Sequence, residues 1–207
     1  MDPNVDLMAK VHTRWAEVIE ITCRSSSIPP AFLAALIANE SGGDPNVTRF
    51  ESGVLGSLWQ VLTGRKTAYG SITRSDLYLF ALPKEIPAIA GDLSEIATVF
   101  SGSFDNLGSL ATSFGLTQIM GYHLLEGDLG ISAISDLVKP QSSLLATLRL
   151  LAKFAKEFDL DLATEAASLF TCWNTGHPAG KTFDPEYTPN GLLRMHLYGS
   201  LPPTVLT

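Results

Sequence analysis

Apolar residues recur at helical spacing along most of this chain. Val5, Met8, Val11, Trp15, Val18, Ile19 and Thr22 fall three or four apart, which predicts an amphipathic helix over 4–24. Ser25-Ser26-Ser27 followed by Pro29-Pro30 breaks it and starts a second helix that runs to Glu40. Residues 44–53 read as loop or short extended chain, with Arg49 and Glu51 alternating about Phe50 as on a strand with one wet face. Helical spacing resumes over 54–63. The polar stretch 64–83, with Tyr69, Tyr78 and Phe80 interleaved, reads as a long loop. Further helices are expected at 84–100, 105–112, 132–138, 141–158, 161–173 and 189–198, and 113–121 reads as a loop opening into a helix. No segment repeats at a period of 20–50 residues, which excludes a solenoid. The pattern predicts a mainly α protein with at most a small β element.

Length and composition sharpen this picture. A chain of 207 residues suits a single domain over 1–207, and 45% hydrophobic with only 17% charged residues is enough for a proper core. The net charge of -7 and the lack of any Lys/Arg cluster argue against nucleic acid or an anionic membrane surface as partner. No apolar run reaches the length of a membrane span, so no membrane insertion is expected. Cys23 and Cys172 lie on separate predicted helices without metal-pair spacing; they read as buried free thiols, with a disulfide between them as the alternative. The four histidines are scattered, and no metal or cofactor is expected. The first residues show neither a basic start nor an apolar run, so no signal peptide is visible.

The most informative side chain is Glu40. It lies four residues after Leu36 and three after Ile37, on the face that the second helix turns toward the core. Gly42 and Gly43 supply the left-handed turn that ends such a helix. Apolar neighbours and the partially negative end of the helix both favour the neutral acid. A carboxylic acid kept protonated near neutral pH is what acid-catalysed glycosidic cleavage requires. Two further segments place a polar side chain among small and apolar ones: Gly115-Leu116-Thr117-Gln118-Ile119, and Cys172-Trp173-Asn174-Thr175-Gly176. Glycines there let a ligand approach the backbone, and amides offer both donors and acceptors to sugar hydroxyls and N-acetyl groups. Taken singly, Gln118 also reads as a helix cap and Asn174 as an ordinary C-terminal turn.

In this order the three segments resemble the Glu-Ser-x-Gly, Gly-Leu-Met-Gln-Ile and Tyr-Asn-x-Gly motifs of the lysozyme-like soluble lytic transglycosylase superfamily. Arg49-Phe50-Glu51 and residues 114–121 are similar to the phage and bacterial N-acetylmuramidase branch, and the resemblance spans residues 28–195. It implies a lysozyme-like helical domain that cleaves the β-1,4 bond between N-acetylmuramic acid and N-acetylglucosamine. Glu40 would be the catalytic acid and Ser41 the hydroxyl that follows it. Gln118 and the backbone around Gly115 and Ile119 would line the cleft, with Asn174 closing the other side and the Trp173 face packing against a sugar ring. Apart from the resemblance, Tyr69, Tyr78, Phe80, Tyr122 and Tyr187 read either as sugar-stacking platforms or as core and rim packing. Trp173 stands where the family has tyrosine, and Thr117 where it has methionine.

The resemblance implies peptidoglycan glycan strands as partner and action at the bacterial cell wall; a monomer is expected. Without a visible signal peptide, that location requires another export route, a phage origin or a missing leader. A lytic transglycosylase needs Glu40 alone. A hydrolytic muramidase needs a second carboxylate, for which Glu51, Asp44 and Asp92 are candidates and Glu51 is favoured. A non-catalytic glycan-binding or structural module is the third reading.

Overall fold

The structure, a computed structural model, describes residues 2–81 and 106–202. It is mainly helical with a small antiparallel β element. The expected helix over 84–100 lies outside the described residues, as does Asp92.

Helix α1 (Pro3–Cys23) carries Pro3 in its first turn, and the Asp2 side chain accepts the Asn4 backbone N–H at 2.8 Å. This satisfies one of the donors that a helix start leaves free. Helix α2 (Pro30–Glu40) begins at its proline, as the sequence predicts. It departs from the predicted one-sided burial: every residue from Phe32 to Ala38 is buried, so the helix is enclosed all round. On one side Leu33, Ala34 and Ile37 pack with Met8, Val11 and Ile19 of α1. On another, Phe32, Ala35 and Leu36 pack with Leu151, Leu169 and Phe170. The Phe32 and Phe170 rings lie 4.4 Å apart. Each large side chain fully removed from water here contributes about 1.5–3 kcal/mol.

Strand β1 (Thr48–Phe50) follows, then α3 (Ser52–Leu62). All three β1 residues are exposed, Phe50 included, so the expected dry face is absent. The stretch read as a long loop is instead ordered. Strands β2 (Ala68–Tyr69) and β3 (Ile72–Thr73) form a hairpin that leads into α4 (Arg74–Ala81). Its start is fixed by Thr73, whose N–H and hydroxyl both donate to the Asp76 carboxylate, at 2.8 and 2.7 Å. Thr73-Arg74-Ser75-Asp76 has the spacing of a helix-start signal, and polar composition masked it. Ile72 and Leu77 then join Leu58, Val61 and Leu107 in a separate apolar cluster.

Residues 106–110 are helical. The segment expected to open into a helix is a β-hairpin: β4 (Thr112–Phe114) pairs with β5 (Ile119–Met120), Ser113 opposite Met120 and Phe114 opposite Ile119. On its other side β4 pairs with β1, Arg49 opposite Ser113, giving the order β1-β4-β5. The 3-10 turns Gly121–Glu126 and Ile134–Asp136 lead to α5 (Pro140–Phe158), α6 (Ala166–Thr175) and α7 (Tyr187–Gly199). Helix α6 starts later than the sequence predicts. Asp161 and Glu165 spend their carboxylates on the backbone N–H groups of Ala163, Thr164 and Asp161, which holds 161–165 as a turn. Cys23 and Cys172 are buried free thiols. Among the described residues no helix is long and apolar enough to cross a membrane.

The β4–β5 turn depends on Gly115. Its φ is +78°, and a Cβ there would lie 2.0 Å from the Leu137 carbonyl oxygen. Gly115→Ala is therefore expected to cost about 2 kcal/mol or more in urea unfolding, from a left-handed backbone and a steric clash together. A change below about 0.5 kcal/mol would mean that the turn relaxes around the methyl group.

Candidate functional site

Glu40 is the last residue of α2, at the edge of the region where that helix is enclosed. The chain turns away immediately through Gly42 and Gly43, with φ of +61° and +86°. Ser41 and Trp15 pin this turn. The Ser41 hydroxyl donates to the Leu116 carbonyl at 2.8 Å, and the Trp15 indole N–H donates to the Gly43 carbonyl at 2.9 Å. Ser41 thus ties α2 to the β4–β5 turn and lines neither of the cavities described below.

The Glu40 carboxyl accepts a short hydrogen bond from the Tyr187 hydroxyl, the first residue of α7. Asn39 holds the same tyrosine by its backbone: its amide donates to the Tyr187 carbonyl at 3.0 Å. Arg194 in turn donates to the Asn39 side-chain oxygen at 2.7 Å. The last two residues of α2 and the first of α7 are therefore clamped together. Burial pushes the Glu40 carboxyl from its ordinary 4.5 up to about 7, against the Tyr187 hydrogen bond and the Arg49 charge, which pull it back down. The carboxyl-terminal end of α2 acts in the same direction as burial.

Glu40 faces a cavity of about 470 Å³, lined also by Arg49, Glu51, Gln118, Trp173 and Asn174. A second cavity of about 480 Å³ shares Gln118, Met120, Trp173 and Asn174 with the first and adds Ile119 and Tyr122. The two form one groove with Glu40 in one arm. The sequence-predicted residues converge on it from the end of α2, the junction of β1 and α3, the β4–β5 hairpin, the 3-10 turn that follows it and α6, with Ser41 and Gly115 as the exceptions.

Gln118 lies in the groove in a left-handed conformation, φ +56°, so it is a hairpin-turn residue and not part of a helix. Its amide N–H groups donate to the Val47 and Gly115 carbonyls at 2.8 and 2.9 Å, and its oxygen accepts from Ser113 at 2.7 Å. It supports the groove floor and keeps little capacity for a ligand. Gly115 is structural in the same sense. Thr117 is fully buried, its hydroxyl 2.7 Å from that of Thr147, so the departure from methionine falls behind the groove. The Trp173 indole N–H donates to the Thr117 carbonyl at 3.1 Å, leaving the ring as a groove wall. Asn174 is exposed at the junction of the two arms, and its amide has no partner among the described residues.

Glu51 lines the same cavity as Glu40, and its Oε1 accepts from Arg49 Nε at 2.5 Å. Glu51 thus lines the cavity and pairs with Arg49 at the same time. Asp44 accepts from Asn46 and lies outside the groove. Among the described residues no His, Cys, Asp and Glu side chains group as metal ligands do. The sequence reading missed the Tyr187–Glu40 contact, because 147 positions separate the pair and nothing local marks it. Against protein-family models, curated proteins and solved structures, the chain finds no match.

The raised acid links Glu40 to stability. Between pH 4.5 and about 7 the folded chain keeps a proton that the unfolded chain releases. Stability conferred by a group of this kind is therefore lost as pH climbs through that interval, by on the order of 3 kcal/mol, and levels off above it. Glu40→Gln removes the titration and still accepts from Tyr187. Urea unfolding from pH 4 to 8 is expected to show the variant gaining on the parent as pH rises; parallel curves would place the Glu40 carboxyl near its ordinary value.

Proposed function

We propose that this protein is a peptidoglycan-cleaving glycosidase of the lytic transglycosylase type, with Glu40 as its single catalytic acid. The observation that carries the reading is a carboxyl group raised to about 7 by burial, held by Tyr187 at the wall of an open groove. Such a group is protonated in a large fraction of molecules near neutrality and can donate to a bridging glycosidic oxygen. The bond to the leaving sugar then breaks through an oxocarbenium-like state. The resulting Glu40 carboxylate takes a proton from the muramyl 6-hydroxyl as that oxygen attacks the anomeric carbon, giving an anhydro end. The Tyr187 hydrogen bond favours the ionised form, which fits a group that must act as acid and then as base.

A hydrolytic muramidase is the second reading, favoured by one fact: Glu51 lines the same cavity. The ion pair with Arg49 supports the single-acid reading, since a guanidinium already engages that carboxylate. Arg49 is largely exposed, so the pair is worth about 1 kcal/mol at most and does not by itself exclude a base at this position.

Purified cell walls and mass spectrometry of the released fragments test the proposal. Anhydro termini are expected; reducing termini would make the protein a hydrolase. Glu40→Gln is expected to lower the cleavage rate by about 10² or more, and parent-like clearing by that variant would remove Glu40 from the chemistry. Glu51→Gln is expected to lose activity mildly, whereas near-total loss would assign Glu51 the second-carboxylate role.

Tyr187→Phe removes a hydrogen bond that holds the Glu40 carboxyl down. The alkaline limb of the pH–rate profile is expected to move to higher pH in that variant. An unmoved limb would mean that the contact does not govern the acid.

A further inference from the structure

A cavity of about 720 Å³ opens between α1 and the turn that follows α2. It is larger than either arm of the groove and shares no residue with them. Its floor is apolar, formed by Ala9, Val11, Trp15 and Gly43. The Trp15 indole is held in place by the bond from its N–H to the Gly43 carbonyl. A Cβ built on Gly43 would touch both Val11 and Trp15 at 3.4 Å, so the turn lies directly against the helix. At Gly42 nothing lies within 4 Å of the same position, and the space is open there.

The α1 rim of this cavity is cationic. Lys10 and Arg14 stand one helical turn apart, and both are exposed. Like charges at this spacing repel. Neither makes an ion pair among the described residues, although Asp6 and Glu17 lie within a turn of them. The Arg14 guanidinium instead lies over the Trp15 ring, 4.8 Å from its centre. Stacking of this kind orients the planar fork and leaves its N–H groups unspent. On the other rim Asp44 is the only carboxylate among the described residues that line the cavity. It already accepts from the Asn46 backbone and amide N–H groups, at 2.9 and 3.2 Å. The second amide hydrogen of Asn46 remains.

We propose that this cavity binds a small organic phosphate, its phosphoryl oxygens met by Arg14 and Lys10 and its carbon body laid on the Trp15 floor. The count of donors favours phosphate over carboxylate. A guanidinium fork engages two oxygens, which is all that a carboxylate has; a phosphate keeps a further oxygen for Lys10 or Asn46. The volume falls in the range of small-ligand sites. The assignment is independent of the chemistry at Glu40, with which it shares no side chain.

The test is an NMR titration of the wild-type protein with phenyl phosphate at low salt and near-neutral pH, following the backbone amides of 9–15 and 42–46. Saturable shifts are expected there, with half-saturation at about 10 mM or below, the scale of a fragment of this size. Benzoate and inorganic phosphate, which lack the third oxygen and the carbon body respectively, are each expected to bind about threefold more weakly or less tightly still. Added salt should weaken the phenyl phosphate complex. Arg14→Gln and Lys10→Gln keep good helix formers on an exposed face and are each expected to weaken it by about threefold. No saturable shift at these amides up to about 30 mM overturns the proposal. Binding of benzoate or inorganic phosphate as tight as that of phenyl phosphate overturns it too, as does binding that survives both substitutions unchanged.

Discussion

The enclosure of α2 is the constraint on which the rest of the structure depends. Seven consecutive residues of that helix are buried, and two apolar clusters meet on it. A helix so placed has no solvent face on which to end. Its last residue must either be apolar or carry a polar group into whatever space the surrounding elements leave. Here the polar group is a carboxyl, and the space is the groove. The same packing that removes Leu33, Leu36 and Ile37 from water removes most of the hydration of Glu40. Core stability and an acid that keeps its proton share one cause, and a looser core would weaken both.

Burial alone would leave Glu40 as a neutral acid unable to shed its proton. The clamp with α7 limits that effect. Asn39 anchors Tyr187 through its backbone carbonyl, and Tyr187 returns a hydroxyl to the adjacent glutamate. Burial and the nearby Glu40 charge both push the Tyr187 hydroxyl upward, so it stays a donor and does not compete for the proton. Arg194 secures the arrangement by holding Asn39 and reaching Asn4 of α1. A chain of contacts through three helices thus fixes the one hydroxyl that meets the carboxyl, whose protonation balance follows from opposing influences: dehydration upward, Tyr187 and Arg49 downward.

Helices with a long apolar period were legible in the sequence: α1, α2, α5 and α7 lie within about two residues of their expected bounds, because spacing alone encodes them. Two segments were misread for definite reasons. Residues 64–83 look like loop because polar residues dominate, yet Gly70 and the Thr73–Asp76 cap encode a hairpin and a helix start. Residues 113–121 look helical because Leu116, Ile119 and Met120 fit that period. Gly115 and Gln118 in left-handed conformations turn them into a hairpin. For the site, Glu40 was legible because local rules fix a helix end. Tyr187 was not, because its contact exists only after α2 and α7 pack.

The groove also shows how its amides divide the work. Gln118 looks like a ligand-binding group in sequence, but its two donors and its oxygen go to Val47, Gly115 and Ser113. A left-handed glutamine bridging a strand partner and its own turn fixes the floor over which a ligand would lie, at a backbone cost that glycine would avoid. Glycine could not make those three bonds. Asn174 is the complement: exposed, without a partner among the described residues and placed where the two arms meet. Asn174 and the Trp173 face stay open to the groove, while Gln118 makes its floor rigid. The amide at position 118 is explained by backbone geometry before any ligand is considered.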